Sequence, residues 1–249
     1  MIDAHCHLDN KAFRFDLDDV IRSAREWKVK AIMTSASCFS SNAKNLEIAG
    51  QYKGYVFACL GLDPTAALKE KKVSEVIEFI RENKESVVAI GEVGIDYYWE
   101  KEPDKQSAAF SAFISLAEEL RKPLVVHARN SMDDVLKVLE KSSVPVMIHC
   151  FSGGAKHARE CIDRGYFMSF ATSACFLPDR KSLIKAVPLE NMLAETDSPY
   201  NHPLREGRNE PKNVRSAYDL ISDLKGADFS EVEKTIDKNA CKLFELKLV

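Results

Sequence analysis

The chain has 249 residues, 45% of them hydrophobic and 29% charged, with a formal net charge of -3. That composition provides for a sizeable core and excludes a disordered chain. The mild acidity excludes a protein that coats nucleic acid through bulk charge, and leaves room for an enzyme that neutralises phosphates locally.

Asp3, His5, His7 and Asp9 fall within the first nine residues, which excludes a signal peptide there, and no apolar run is long enough to span a bilayer. Eight short apolar segments then alternate with stretches of helical period. The predicted strands are Ile2 to Cys6, Ala31 to Ser35, Val56 to Leu60, Val87 to Gly91, Leu124 to His127, Val144 to His149, Tyr166 to Phe170 and Met192 to Glu195. Most are continuous apolar runs, as expected of parallel strands covered by helices. Between them, Leu17, Val20, Ile21, Ala24 and Trp27 share one helical face, as do Val73, Val76, Ile77 and Ile80, and Phe110, Phe113, Ile114, Ala117 and Leu120. Ser230 with Glu233 reads as a capping box that opens a last helix.

Eight strand-then-helix units without a break in composition predict an α/β fold, a single (β/α)8 TIM-type barrel formed by residues 1–249 as one domain. An open doubly wound sheet is expected to carry a Gly-rich phosphate loop after its first strand, where this chain has His5-Cys6-His7. The longest irregular stretch, from about Ser198 to Lys212, has the length of a functional loop. Seven cysteines, with no C-x-x-C pair, read as buried reduced thiols of a cytoplasmic protein.

Chemistry concentrates at the strand ends. The chain has six histidines. His5 and His7 close the first strand two residues apart, so that both imidazoles can face one ion. His127 ends the fifth strand and His149 the sixth; Glu92 follows the fourth and Asp197 the eighth. A barrel carries all of these ends to one rim, where active sites form. Taken singly, each has a structural explanation: a hydrogen-bonded histidine, or a carboxylate that caps a helix. Their placement at one end of their strands has none. Four imidazoles and two carboxylates exceed the needs of one tetrahedral ion and suit two ions bridged by a carboxylate.

The segments His5-Cys6-His7-Leu8-Asp9, Gly91-Glu92-Val93-Gly94-Ile95-Asp96, His127-Ala128-Arg129, His149-Cys150-Phe151-Ser152-Gly153 and Glu195-Thr196-Asp197-Ser198-Pro199 resemble, in this order, the TatD family of metal-dependent deoxyribonucleases in the amidohydrolase superfamily. Arg208-Asn209-Glu210-Pro211 and Asn239-Ala240-Cys241-Lys242-Leu243-Phe244 extend the resemblance over essentially the whole chain. It implies a barrel that hydrolyses phosphodiesters with divalent ions. It also implies His5, His7, Glu92, His127, His149 and Asp197 as metal ligands, with Glu92 as the bridge.

Asp197 is assigned as general base as well as ligand, and Glu92 with it as catalytic. The mixed nitrogen and oxygen donors suit two divalent ions, Mg, Mn or Zn among them. Arg129 and Arg208 are the candidate substrate contacts, as side chains that can fork onto phosphate. Arg205, Lys212 and Arg215 add positive charge to the same loop, and Tyr97, Tyr98 and Trp99 can stack a base. The expected partner is DNA as substrate, through an end or short single strand, with no membrane and no stable protein partner.

The family often carries Gly-x-His-Pro-His after its third strand; here the segment is Gly61-Leu62-Asp63-Pro64-Thr65. That departure bears on substrate choice and leaves the ligand set intact. The alternatives are an amidohydrolase acting on an amide, ester or lactone, and a non-catalytic barrel. Against the first stands Glu92 where relatives with that chemistry often use a modified Lys; against the second stands a complete set of ligands.

Overall fold

The computed structural model describes residues 1–247. Eight parallel strands form one sheet in sequential order: β1 (Ile2–Cys6), β2 (Ala31–Ser35), β3 (Val56–Leu60), β4 (Val87–Asp96), β5 (Leu124–Arg129), β6 (Val146–Ile148), β7 (Phe167–Ala171) and β8 (Met192–Glu195). The covering helices are α1 (Leu17–Glu26), α2 (Phe39–Gln51), α3 (Pro64–Glu70), α4 (Val73–Glu82) and α5 (Pro103–Leu120). They continue as α6 (Met132–Val138), α7 (Ala155–Asp163), α8 (Pro178–Ala186), α9 (Val214–Lys225) and α10 (Phe229–Phe244). This is the expected (β/α)8 barrel.

The sheet curls until its edges meet. The Asp197 N–H donates to His5 O (2.9 Å) and the His7 N–H to Ser198 O (2.8 Å). Beneath them the Asp3 carboxyl accepts from the Thr196 N–H (2.8 Å) and hydroxyl (2.6 Å). These bonds seam β1 to β8.

Inside the barrel, Ile2, Ala4, Met33, Cys59, Ala89, Val125, Met147 and Leu193 pack together from the first halves of the strands, and Leu243 and Phe244 of α10 pack against them. Alternation along a strand keeps every second residue on one face. It therefore carries His127 inward two residues after Val125, and His149 two after Met147. On β1 and β4 the count is broken. Register shifts lie between Asp3 and Cys6 and between Ile90 and Val93. Each exchanges odd for even positions, so His5 and His7 follow Ala4 inward, and Glu92 follows Ala89.

Four expectations shift. β4 runs on to Asp96 instead of ending at Gly91, because Gly94 pairs with His127 across β5. A Cβ on Gly94 (φ +146°) would stand 2.0 Å from His127 O. β6 is shorter than Val144 to His149: Pro145 lacks the N–H for a ladder bond, and Cys150 turns the chain with φ 44°. The last helix starts at Phe229 after Asp228, so Ser230 lies in its first turn and does not cap it. Trp27 lies beyond α1 and is 54% exposed.

Candidate metal centre

The six predicted donors converge at the C-terminal mouth of the barrel. Glu92 stands at the centre, 5% exposed, and its two oxygens face different partners. Oε2 lies 3.5 Å from His5 Nε2 and 3.6 Å from His7 Nε2. Oε1 lies 2.7 Å from His127 Nδ1 and 2.9 Å from His149 Nε2. Asp197 Oδ1 joins the first group, 3.7 Å from His5 Nε2 and 3.4 Å from His7 Nε2. Donors around one small divalent ion at about 2.1 Å lie roughly 3.0–3.4 Å apart. Separations of 2.7–3.7 Å among nitrogen and carboxylate donors that face one another therefore fit a divalent metal.

Each imidazole is oriented through its other nitrogen, as metal-binding histidines generally are. His5 Nδ1 meets the Ser35 hydroxyl (3.1 Å), and His7 Nδ1 meets Ser35 O (3.0 Å). His127 Nε2 bonds Asp96 Oδ2 (2.9 Å). His149 Nδ1 faces Glu195 Oε1 at 3.6 Å, and within the protein both atoms are buried without a hydrogen bond. The other Glu195 oxygen accepts from the Ser169 hydroxyl. Asp197 adopts φ 55°, a left-handed conformation that Asp tolerates better than most residues, and Asn201 donates to its Oδ2 (2.7 Å).

Asp3, Asp96 and Glu195 were not singled out in the sequence. Position parity was the available signal for two of them: Asp96 follows Glu92 by four on its strand, and Glu195 follows Leu193 by two.

Burial opposes charge on each donor, and attraction among acids and bases decides the outcome. Burial pushes the Glu92 carboxyl up, but the His149 charge and hydrogen bonds from His127, His149 and His5 hold it well below the usual range. Asp197 is likewise held low against its burial by the hydrogen bond and charge of His7. Burial lowers His7 and His127, yet bonds to Asp197 and to Asp96 and Glu92 push each up to about 9. His5 is lowered, first by burial and then by the His149 charge.

All the donors but the fully buried His5 border a cavity of about 740 Å³. Asp63 and Thr65 line it where the family has histidines. Asp63 caps α3 through the Thr65 and Ala66 N–H groups (2.7 and 2.9 Å), and burial, then the Glu92 charge, pushes its carboxyl up to about 6. Arg129 lines the cavity with its guanidinium 3.7 Å above the Tyr98 ring, and Trp99 lines it beside them. Tyr97 instead bonds Asp134 (2.7 Å).

Arg208 is not brought to the cavity. Its guanidinium forks onto Asp16 (2.8 and 2.7 Å), meets Glu210 (2.8 Å) and lies over Phe13, which organises the long loop. Lys212 pairs with Glu210 and Arg215 with Asp219, while Arg205 lies over Phe176. His157 accepts from the Gly154 N–H at the start of α7, and His202 from the Leu204 N–H.

An eight-stranded barrel with histidines and carboxylates gathered at its C-terminal mouth is the setting of a metal-dependent enzyme. Comparison with known proteins makes the assignment specific. The family model described as "TatD related DNase" matches residues 2–245. The chain is 37% identical to an uncharacterized metal-dependent hydrolase of Methanocaldococcus jannaschii, over 99% of this chain and 98% of that one. It is 31% identical to a human protein named deoxyribonuclease TATDN3, over 98% and 94%. A crystal structure of a TatD homologue from Escherichia coli superposes with a TM-score of 0.91 at 23% identity, covering 99% and 98%. The chain belongs to the TatD family of metal-dependent hydrolases.

Proposed function

We propose that this hydrolase is a deoxyribonuclease with a dinuclear metal site, acting on the ends of single strands. The carrying observation is the position of Glu92, whose two oxygens are divided between the His5–His7 pair and the His127–His149 pair. One carboxylate between two donor groups is the arrangement that bridges a pair of ions. His5, His7, Glu92 and Asp197 would hold one, and Glu92, His127 and His149 the other. When bound, the ions supply Lewis acidity and offset the negative charge of a phosphodiester.

The protein's own groups supply the rest. Asp197, held ionised beside His7, takes the proton of the water that attacks phosphorus. The P–O bond to the leaving nucleotide breaks as the new one forms, and that oxygen is protonated from solvent. Arg129 forks onto a phosphate oxygen, and its stacking on Tyr98 keeps the guanidinium aimed at the cavity. Exposed Trp99 and Tyr98 offer faces on which a base can stack. A 740 Å³ cavity lies in the range of small-ligand sites, a size that suits a nucleotide at the end of a strand. The human relative's name, deoxyribonuclease, supports the choice of DNA.

The test uses metal-stripped protein reloaded with Mg, Mn or Zn and given end-labelled single-stranded DNA, duplex DNA and simple esters. Metal-dependent release of nucleotides from single strands, lost in Asp197→Asn, is the expected result. Ester turnover with intact DNA would overturn the nuclease reading.

A further inference from the structure

Besides the histidines, the cationic residues that line the cavity are Lys69, Arg129 and Arg180. Two of them have partners. Lys69 pairs with Glu100 (3.2 Å), and Arg129 lies over Tyr98. Arg180, half-buried in the first turn of α8, has no carboxylate within ion-pair distance and no aromatic ring beneath its guanidinium among the described residues. The wall around it also differs from the rest. The cavity's carboxylates, among them Asp63, Glu92 and Asp197, stand on other elements. From Ala171 to Arg180 the sole acidic residue is Asp179, which is exposed and does not line the cavity. The same segment also presents to the cavity Ser173, with no side-chain hydrogen bond among the described residues, and Leu177. A half-buried cation without a counter-charge, on a cavity wall that also offers a spare hydroxyl, is a recognition element for an anion.

We infer that Arg180 and Ser173, on a different wall segment from Arg129, form a second phosphate subsite which takes a non-scissile phosphate of the nucleotide chain. The inference rests on the nuclease reading and names what that reading leaves open: how the enzyme tells a strand from a single phosphodiester. A substrate must then reach from the donors to α8, and it gains affinity only if a second phosphate follows the one being cut.

The metal-loaded enzyme would be given a dinucleoside monophosphate, whose only phosphate is the scissile one, and a tetranucleotide with or without a terminal phosphate. Arg180→Gln should raise KM for the tetranucleotide by roughly tenfold to a hundredfold, the range of one charge-assisted hydrogen bond. KM for the dinucleoside monophosphate should stay unchanged, and Arg180→Lys, which keeps the charge, should recover part of the loss. A loss confined to the terminally phosphorylated tetranucleotide identifies a terminal phosphomonoester as the anion; a loss on both forms identifies an internal diester. Equal losses on the dinucleoside and the tetranucleotide, or none on either, overturn the subsite while leaving the nuclease intact. A wild-type enzyme that cleaves neither removes the nuclease reading, and this one with it.

Discussion

The two mouths of the barrel are made by the same eight strands. At the C-terminal mouth, four imidazoles and two carboxylates crowd together, with left-handed backbone at Cys150 and Asp197. At the N-terminal mouth, the inner residues of the strands meet Leu243 and Phe244 of α10 in buried apolar packing, with the Met1 N-terminus and Lys30 paired to Asp237 at its edge. One end holds charge in a buried place and leaves a cavity beside it. The other removes apolar area from water. The difference separates two jobs along one set of strands: chemistry is concentrated where packing is incomplete, and stability where it is complete.

That division can be broken by single substitutions. Glu92→Gln should lower activity by roughly a thousandfold, since it removes the charge shared by both donor groups. A large loss of stability with activity retained would invert the comparison. Phe244→Ala at the opposite mouth should cost about 3–5 kcal/mol in denaturant unfolding, with kcat of the remaining folded enzyme unchanged. A fall in kcat at saturating metal would show that the N-terminal mouth also shapes the site.

Smaller effects sharpen the picture within the donor end. Glu195→Gln should weaken metal binding about 10–100-fold in chelator competition, because His149 loses the carboxyl group behind its Nδ1. Unchanged affinity would reduce Glu195 to a packing role.

His7 and His127, pushed up to about 9 from an ordinary 6.5, hold protons at neutral pH that a metal must displace. Apparent affinity should therefore rise as pH climbs from 7 to 9, with proton release seen by calorimetry in buffers of different ionisation heat. The sign for folding is opposite. Without metal, their contribution to stability is fully present below 6.5 and lost as pH rises through 9. A metal-free protein whose stability is flat across that window would show that these charges are not coupled to folding.

Much of this was legible in the sequence. Residues at the ends of apolar runs could be placed on one rim because a barrel leaves them no other place, and the resemblance to the family then implied all six as ligands. The orienting groups were harder to read. Glu195 and Asp96 sit on the same strands as the donors, but nothing local says that a carboxyl faces an imidazole 46 or 31 residues away. The register shifts on β1 and β4 were not legible either; alternation alone, counted from Ala4 or Ala89, would turn His5 and Glu92 away from the interior. Arg208 shows the converse limit. Its type and its loop suit a phosphate, and only three-dimensional structure reveals that Asp16, distant in sequence, already occupies it.

The seam between β1 and β8 bears on the order in which the molecule is made. Asp3 and Thr196, which fasten it, are 193 residues apart, and Asp197 is the last donor to be synthesised. A nascent chain carries His5 and His7 from the outset, yet their carboxylate partner from the far edge arrives only when the eighth strand has left the ribosome. The meeting of Asp197 with His5 and His7 is thus a late event that reports closure of the ring, since it needs contacts across nearly the whole chain.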